Sequence, residues 1–284
     1  MMTESQTKFS AIVLAADRGP GDPVAKAAGV PCKSLAPVHG TPMVFRVINA
    51  LDGSQEVDAI NLCGPPETIV NQTKGLEDLI SSGKVKWYAN QQTPSTSAYH
   101  VLKSLPADVP VLLTTADHAL LDARMVDYFC SQSRDTRCDV VIGIARHEVV
   151  VKGYPQTRRT TTRLRDGAYC GCNLFAFQTP RARLAAEFWR QVEQQRKSPL
   201  RVIRVLGWVA VARYLAGRLS LDEALSRVSR RLGFRAGAVI LPFAGAAVDV
   251  DSVDDWHLVD RIVAQRQPLS NNQRPFISQE IGRT

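Results

Sequence analysis

No run of apolar residues in the 284-residue sequence approaches the roughly 20 that a membrane span needs. The opening, Met1-Met-Thr-Glu-Ser-Gln-Thr-Lys8, is polar and holds no apolar secretory core, so a cytoplasmic protein is expected. Cysteine is scattered: of Cys32, Cys63, Cys130, Cys138, Cys170 and Cys172, only Cys170-Gly-Cys172 forms a near pair. No second pair or histidine cluster completes a zinc set, and the thiols are expected to be reduced and to serve mainly as packing. Aromatics do not interleave with the Arg-rich segments and no nucleic-acid motif is recognised, so nucleic acid is the least favoured partner. Internal repeats are absent too.

What is present is a chain that is 45% hydrophobic, enough to bury the core of one large α/β domain. The net charge of +8 points to anionic partners, namely phosphorylated metabolites or an anionic membrane surface. It is unevenly spread: Arg158, Arg159, Arg163 and Arg165 form one cluster, and residues 181–235 form another. The first half alternates short apolar runs with helix-like stretches. Strands are expected at Phe9–Ala16, Val57–Cys63, Val85–Tyr88, Val109–Thr115 and Asp139–Ala145. Helices are expected at Val44–Leu51, Glu67–Ile80, Ser95–Leu105 and from Asp122. Continuously apolar strands in β-α alternation imply a mostly parallel sheet covered on both faces.

The second half changes character. Residues 158–165 and 168–177 read as two strands around Asp166-Gly167. Arg-rich helices follow at 181–195, 200–215 and 220–232, the last opened by a Ser220/Glu223 capping box. Strands are expected again at 238–243 and 247–250. A final helix from Ser252 to Gln265 has Ser252 as its N-cap, and Asp254 and Asp255 lie in its first turn. The expected organisation is one domain over 1–265, with 181–235 as a helical insertion and a polar tail from 266.

Chemistry concentrates at the start. The strand ending Ala15-Ala16 feeds the turn Asp17-Arg18-Gly19-Pro-Gly21-Asp22, whose backbone N–H groups can cradle phosphates. Lys33, in Pro31-Cys-Lys-Ser-Leu35, sits where a flexible cation reaches the same anion. Asp117 directly follows a buried strand, and ligands of open α/β sheets bind outside the carboxyl ends of strands. A polyphosphate ligand would bring Mg²⁺, which is held by one or two carboxylates plus phosphate oxygens. Asp251, in Val248-Asp-Val-Asp-Ser-Val-Asp-Asp-Trp256, is the second candidate carboxylate, with a backbone cap shared with Ser252 as the alternative.

The order strand, glycine loop, Pro-x-Lys-x-Leu, then Gly40-Thr-Pro-Met43 resembles the start of sugar-nucleotide and molybdenum-cofactor nucleotidyltransferases. The chain is similar to the molybdenum-cofactor guanylyltransferase-like domain over Phe9–Ala145, at Cys170–Asn173 and over Ala247–Val263. The resemblance implies a GT-A-like, Rossmann-type nucleotidyltransferase fold, a mixed, mostly parallel sheet with helices on both faces. It further implies a loop from Ala15 to Gly21 on the triphosphate, Lys33 on the phosphates, and Asp117 with Asp251 on the metal. Gln91–Ser97 resembles the segment touching base and ribose, with Ser95 and Ser97 as donors or, alternatively, as ordinary helix caps. Asn173, in Cys-Gly-Cys-Asn, resembles an acceptor-binding Asn.

One departure stands out: Asp17 occupies the last glycine position of the family's Leu-Ala-Gly-Gly or Leu-Ala-Ala-Gly. A carboxylate there repels a triphosphate unless a metal or Arg18 intervenes. The family's loop cation matches either Arg18 or Lys26.

The expected reaction is Mg²⁺-dependent transfer of NMP from an NTP to a small phosphorylated acceptor, with release of pyrophosphate. Two alternatives stay open: a GT-A glycosyltransferase using Asp249-Val-Asp251 as its Asp-x-Asp motif, and a non-catalytic nucleotide-binding protein with a degenerate loop. Leu200, Ile203, Leu206, Val209, Ala210, Tyr214 and Leu215 recur at near-helical spacing beside Trp208 and several arginines. Packing on the sheet or on a second subunit is the preferred reading of this face, and peripheral membrane contact is the other.

Overall fold

A computed structural model describes residues 7–17, 19, 21–193 and 207–266. The chain begins with β1 (Phe9–Leu14), α1 (Pro23–Ala28), β2 (Pro37–Val38), β3 (Thr41–Pro42), α2 (Met43–Asp52), β4 (Val57–Cys63), α3 (Glu67–Gln72) and α4 (Lys74–Ser81). Next come β5 (Val85–Tyr88), α5 (Pro94–Ser104), β6 (Val111–Thr115), α6 (Ala123–Asp135), β7 (Val140–Arg146) and α7 (His147–Gly153). The remainder is β8 (Thr161–Leu164), β9 (Gly167–Phe177), α8 (Arg183–Glu193), α9 (Trp208–Leu215), α10 (Leu221–Leu232), β10 (Ala236–Leu241) and α11 (Val253–Arg266).

The main sheet runs β10-β7-β9-β6-β1-β4-β5, with β8 paired to β9. β1 is central and parallel to both β4 and β6. Its residues alternate between two cores, Ala11 and Val13 entering one and Ile12 the other, as a strand covered on both faces must. The expected mixed, mostly parallel sheet is therefore present. Its antiparallel member is β9, inserted between β6 and β7.

That insertion shapes the site. Leu113 pairs with Phe175, so the first half of β9 runs past the carboxyl end of β6 and carries the β8–β9 hairpin with it. Ile142 pairs with Phe175 but Ile144 with Gly171, a bulge in which Cys172–Leu174 face Gly143. A Cβ on Gly143 would lie 3.0 Å from the Leu174 Cβ, so the crowded bulge favours glycine there. Asn173 takes a left-handed φ of 49° and its side chain is aimed out of the ladder.

The Arg-rich helices α8 and α10 close the second core. Ala186 and Phe234 are buried there, with Trp189, Val228 and Leu232 packed against them, and Trp189 stacks on Phe175 at 6.4 Å. Two of the helices' arginines also pack inward, Arg183 donating to the Leu105 carbonyl and Arg190 lying over the Tyr99 ring. α9 differs: Trp208, Val209 and Leu215 stay 60–79% exposed. Leu200, Ile203 and Leu206 of the same apolar face lie outside the described residues, as does the tail from 267.

Four local expectations are corrected. The helix expected over 67–80 is two helices broken at Thr73, whose hydroxyl donates to the Ile69 carbonyl at 2.8 Å and whose backbone leaves the helical region. Residues 247–250 are not a strand but the exit from a 3₁₀ turn, Ala244–Ala247. Ser220 does cap α10, but Glu223 pairs with Arg213 and Arg227 rather than closing a capping box. The reciprocal box sits instead at α11, where Ser252 and Asp255 each accept the other's backbone N–H, so Asp251 is no cap.

Gly64, at the end of β4, has φ +75°, and an added Cβ would lie 2.9 Å from the Ala16 Cβ and 3.1 Å from its backbone N. Gly64→Ala is therefore expected to cost about 2 kcal/mol in urea denaturation. Gly171→Ala, into open space on β9, is expected to cost less than about 0.5 kcal/mol. Equal stabilities for the two variants would contradict this packing of the loop against β4.

Candidate active site

One ammonium sits at the carboxyl end of β6. Lys33 opens a 3₁₀ turn, Lys33–Leu35, and its Nζ donates to Asp117 Oδ2 at 2.5 Å and to the Val250 carbonyl at 3.1 Å. Both side chains are largely shielded, at 19% and 14% exposure. Burial opposes the charge on Lys33, but the field and hydrogen bond of Asp117, helped by Asp251 and Asp22, outweigh it and raise its pKa. Burial likewise opposes the Asp117 carboxylate, and Lys33 outweighs it in turn, holding the carboxyl below its usual range.

Other members of the expected site gather around this pair. Asp251 is exposed, makes no hydrogen bond or ion pair among the described residues, and acts on Lys33 through its charge. Asp17 accepts the Lys33 backbone N–H through both carboxylate oxygens, at 3.1 and 3.2 Å. Asp22 is occupied in capping α1. Gly21 has φ +83°, and a Cβ there would meet the Lys26 Nζ at 2.9 Å, so Lys26 lies directly over the loop. Of the two loop cations anticipated, Lys26 is thus placed, while Arg18 lies outside the described residues.

Beside the loop a cavity of about 210 Å³ is lined by Leu14, Ala16, Asp17, Cys63, the Gln91–Pro94 turn, Ser97 and Glu193. Ala15 is buried behind it, and Gly19 is exposed with open space around it. Ser97 and Ser95 part company here. Ser97 Oγ accepts the Gln91 N–H at 2.8 Å and fixes the cavity's rim. Ser95 is wholly buried, its hydroxyl turned to Thr93 and its N–H donated to Glu193 at 2.9 Å, and it does not line the cavity. Burial pushes the Cys63 thiol up to about 11, so it lines the cavity as a neutral group.

Asn173 belongs to a second cluster. Its Nδ2 donates to Asp249 Oδ2 at 2.6 Å, and Arg159 forms an ion pair with the same carboxylate and donates to the Asp249 carbonyl. Glu193 and Arg159 were not legible as site residues, since both sit in arginine-rich runs with no motif to single them out. Among the described residues no group of three or more His, Cys, Asp or Glu gathers as a metal cluster, and no helix is long and apolar enough to cross a membrane.

A glycine loop, a largely shielded lysine–aspartate pair and a nearby second carboxylate thus lie together at the strand ends of an α/β fold. The model of the MobA-like NTP transferase domain matches residues 11–232, and the chain belongs to that family. No curated protein matches the sequence. Among solved structures, a hypothetical transferase from Thermus thermophilus is 29% identical, with 88% of this chain and 99% of that one covered and a TM-score of 0.72. The chain is also similar in fold to a CMP:2-keto-3-deoxy-manno-octonic acid synthetase solved with CTP, at 14% identity, 92% and 100% coverage and TM-score 0.56. A 4-diphosphocytidyl-2C-methyl-D-erythritol synthase from Anaerococcus prevotii gives 14%, 90% and 96%, and 0.55. The family match takes in α8 to α10, for which the sequence offered no family counterpart, and stops short of Asp251.

His118, next to Asp117, is fully buried, and desolvation drops its imidazole from the ordinary 6.5 to about 4. The unfolded chain therefore binds a proton there that the folded chain refuses, and stability is complete above pH 6.5 and falls as pH drops toward 4. The expected loss is about 3 kcal/mol across that window. Denaturant titrations should show a shallower pH slope in His118→Gln, and an unchanged slope would contradict the buried neutral imidazole.

Proposed function

We propose that the protein transfers a nucleoside monophosphate from an NTP to a small phosphorylated acceptor. An acceptor oxygen attacks the α-phosphorus, the α–β bridging P–O bond breaks, and pyrophosphate leaves. The observation that carries this reading is the Lys33 ammonium, fixed by Asp117 and the Val250 carbonyl between the glycine loop and the strand ends. Such a reaction needs charge neutralisation and alignment more than a covalent nucleophile.

In this reading the backbone of Ala16, Gly19 and Gly21 holds the triphosphate, with Asp17 and Lys26 around it, while the Ala15 N–H is already given to the Cys63 carbonyl. Lys33 neutralises charge that develops on the bridging oxygen. Gln91 and Ser97 shape the base and ribose side, whereas Ser95, buried in the first turn of α5, only ties that helix to Glu193. Asn173, oriented by Asp249, presents its carboxamide oxygen, uncommitted among the described residues, to the acceptor. The basic hairpin around β8 favours an anionic acceptor.

The donor set fits a hard divalent cation. Asp117 Oδ1 is buried without a hydrogen-bond partner, Asp251 is uncommitted among the described residues, and all the candidate ligands are oxygens. Mg²⁺ bound there would supply electrostatic neutralisation of the triphosphate.

The glycosyltransferase alternative needs Asp249 as a metal ligand, but Arg159 and Asn173 already engage that carboxylate. The non-catalytic reading needs Asp17 to stand as an uncompensated repeller, and it is instead bonded to Lys33.

Pyrophosphate release should be followed with each of the four common NTPs and Mg²⁺, against a panel of sugar and polyol phosphates. Acceptor-dependent release with one NTP is expected. Lys33→Ala and Asp117→Asn are each expected to lower the rate at least about 100-fold while the protein stays folded. Full activity in folded Lys33→Ala would remove the reading.

A further inference from the structure

Asp17 stands where the family resemblance places a glycine, and its carboxylate has a task. The 3₁₀ turn that carries Lys33 lacks a local cap: Cys32 occupies the N-cap position and makes no side-chain capping bond, its Sγ lying 3.3 Å from Ser34 Oγ instead. The first N–H of that turn would otherwise point into the site unsatisfied. Asp17 reaches it from 16 residues away and accepts it with both oxygens. Asp17 and its neighbour Ala16 also line the cavity, and Ala16 is wedged against Gly64. One carboxylate therefore joins the cavity wall to the backbone that sets where the Lys33 ammonium lies.

We propose that Asp17 is a positioning residue for Lys33: as a remote cap, it fixes the lysine's Cα so that the ammonium reaches Asp117 and the Val250 carbonyl together. The inference rests on the reading of Lys33 as the triphosphate's counter-charge for its catalytic consequence, but not for its structural content. A lysine on four rotatable bonds seldom holds two partners from a mobile base, and capping the turn removes that freedom. A glycine at 17 leaves the turn's N–H to water and lets Lys33 wander.

Two readouts separate the possibilities. The first is amine acetylation of the nucleotide-free protein with an N-hydroxysuccinimidyl acetate, followed by peptide mass spectrometry, with Lys84, half-exposed and far along the chain, as the internal reference. Lys33 is expected to acetylate slowly in the native protein. In Asp17→Gly it should acetylate roughly fivefold faster or more, the loss of one charge-assisted hydrogen bond. Asp17→Asn keeps an acceptor oxygen and should restore most of the protection. An unchanged Lys33 rate in Asp17→Gly overturns the proposal whatever the activity.

The second readout is steady-state pyrophosphate release. Asp17→Gly is expected to lower kcat about tenfold with KM for the NTP within about twofold, and Asp17→Asn to recover most of kcat. A fall in KM in Asp17→Gly with kcat preserved would mean that Asp17 is a repulsive charge instead, and overturns the positioning role. Should acetylation respond as expected while no variant and no native protein releases pyrophosphate, the positioning role stands and the proposed reaction fails.

Discussion

The pair between Lys33 and Asp117 is the interaction on which the site depends. An ammonium and a carboxylate, each mostly removed from water, are tolerable only together, because an isolated buried charge costs several kcal/mol. Their mutual field shifts each toward its charged form, against burial. The pair also fixes geometry: Lys33 comes from the turn after α1, Asp117 from the end of β6, and the Val250 carbonyl from the segment before α11. Val250 N–H in turn donates to the Asp117 carbonyl at 3.1 Å. Three stretches of chain distant in sequence are thereby tied at one point.

The antiparallel strand β9 supplies the other half of the arrangement. A wholly parallel sheet would place only loops beyond its carboxyl edge. β9 instead carries ordered backbone past that edge, and its bulge at Cys172–Leu174 turns Asn173 toward Asp249. Arg159 completes this second cluster, in which every charge has a partner. The loop side and the hairpin side are thus built by different physics, a close-packed loop with a shielded ion pair on one and a hairpin overhang on the other.

Much of this was legible in the residues. β1 and β6 could be read from their apolar runs, Asp117 from its place just beyond β6, and Lys33 and Asp251 from the motifs around them. What stayed hidden depended on tertiary context. The Thr73 break looked helical by periodicity, because a side-chain hydroxyl turning back on Ile69 leaves no trace in hydropathy. The 247–250 segment alternates as a strand does, but Val248 N–H turns back to the Gly245 carbonyl and Val250 N–H goes to the Asp117 carbonyl rather than to a ladder. Asp17 read as a liability because its partner, a backbone N–H 16 residues away, has no sequence signature. Ser95 and Ser97 look equivalent in sequence, and only the approach of Glu193 separates their roles.

The central claim is that the glycine loop, Lys33 and the two carboxylates form one triphosphate site. Its most direct measurement is a crystal structure grown with Mn²⁺ and an NTP analogue whose α–β bridge cannot be cleaved, read by the anomalous signal of the metal. An anomalous peak between Asp117 and Asp251, the triphosphate along residues 15–21, and Lys33 on a phosphate oxygen are expected. A triphosphate bound elsewhere, with Lys33 still closed on Asp117 and no metal between the carboxylates, would contradict that claim.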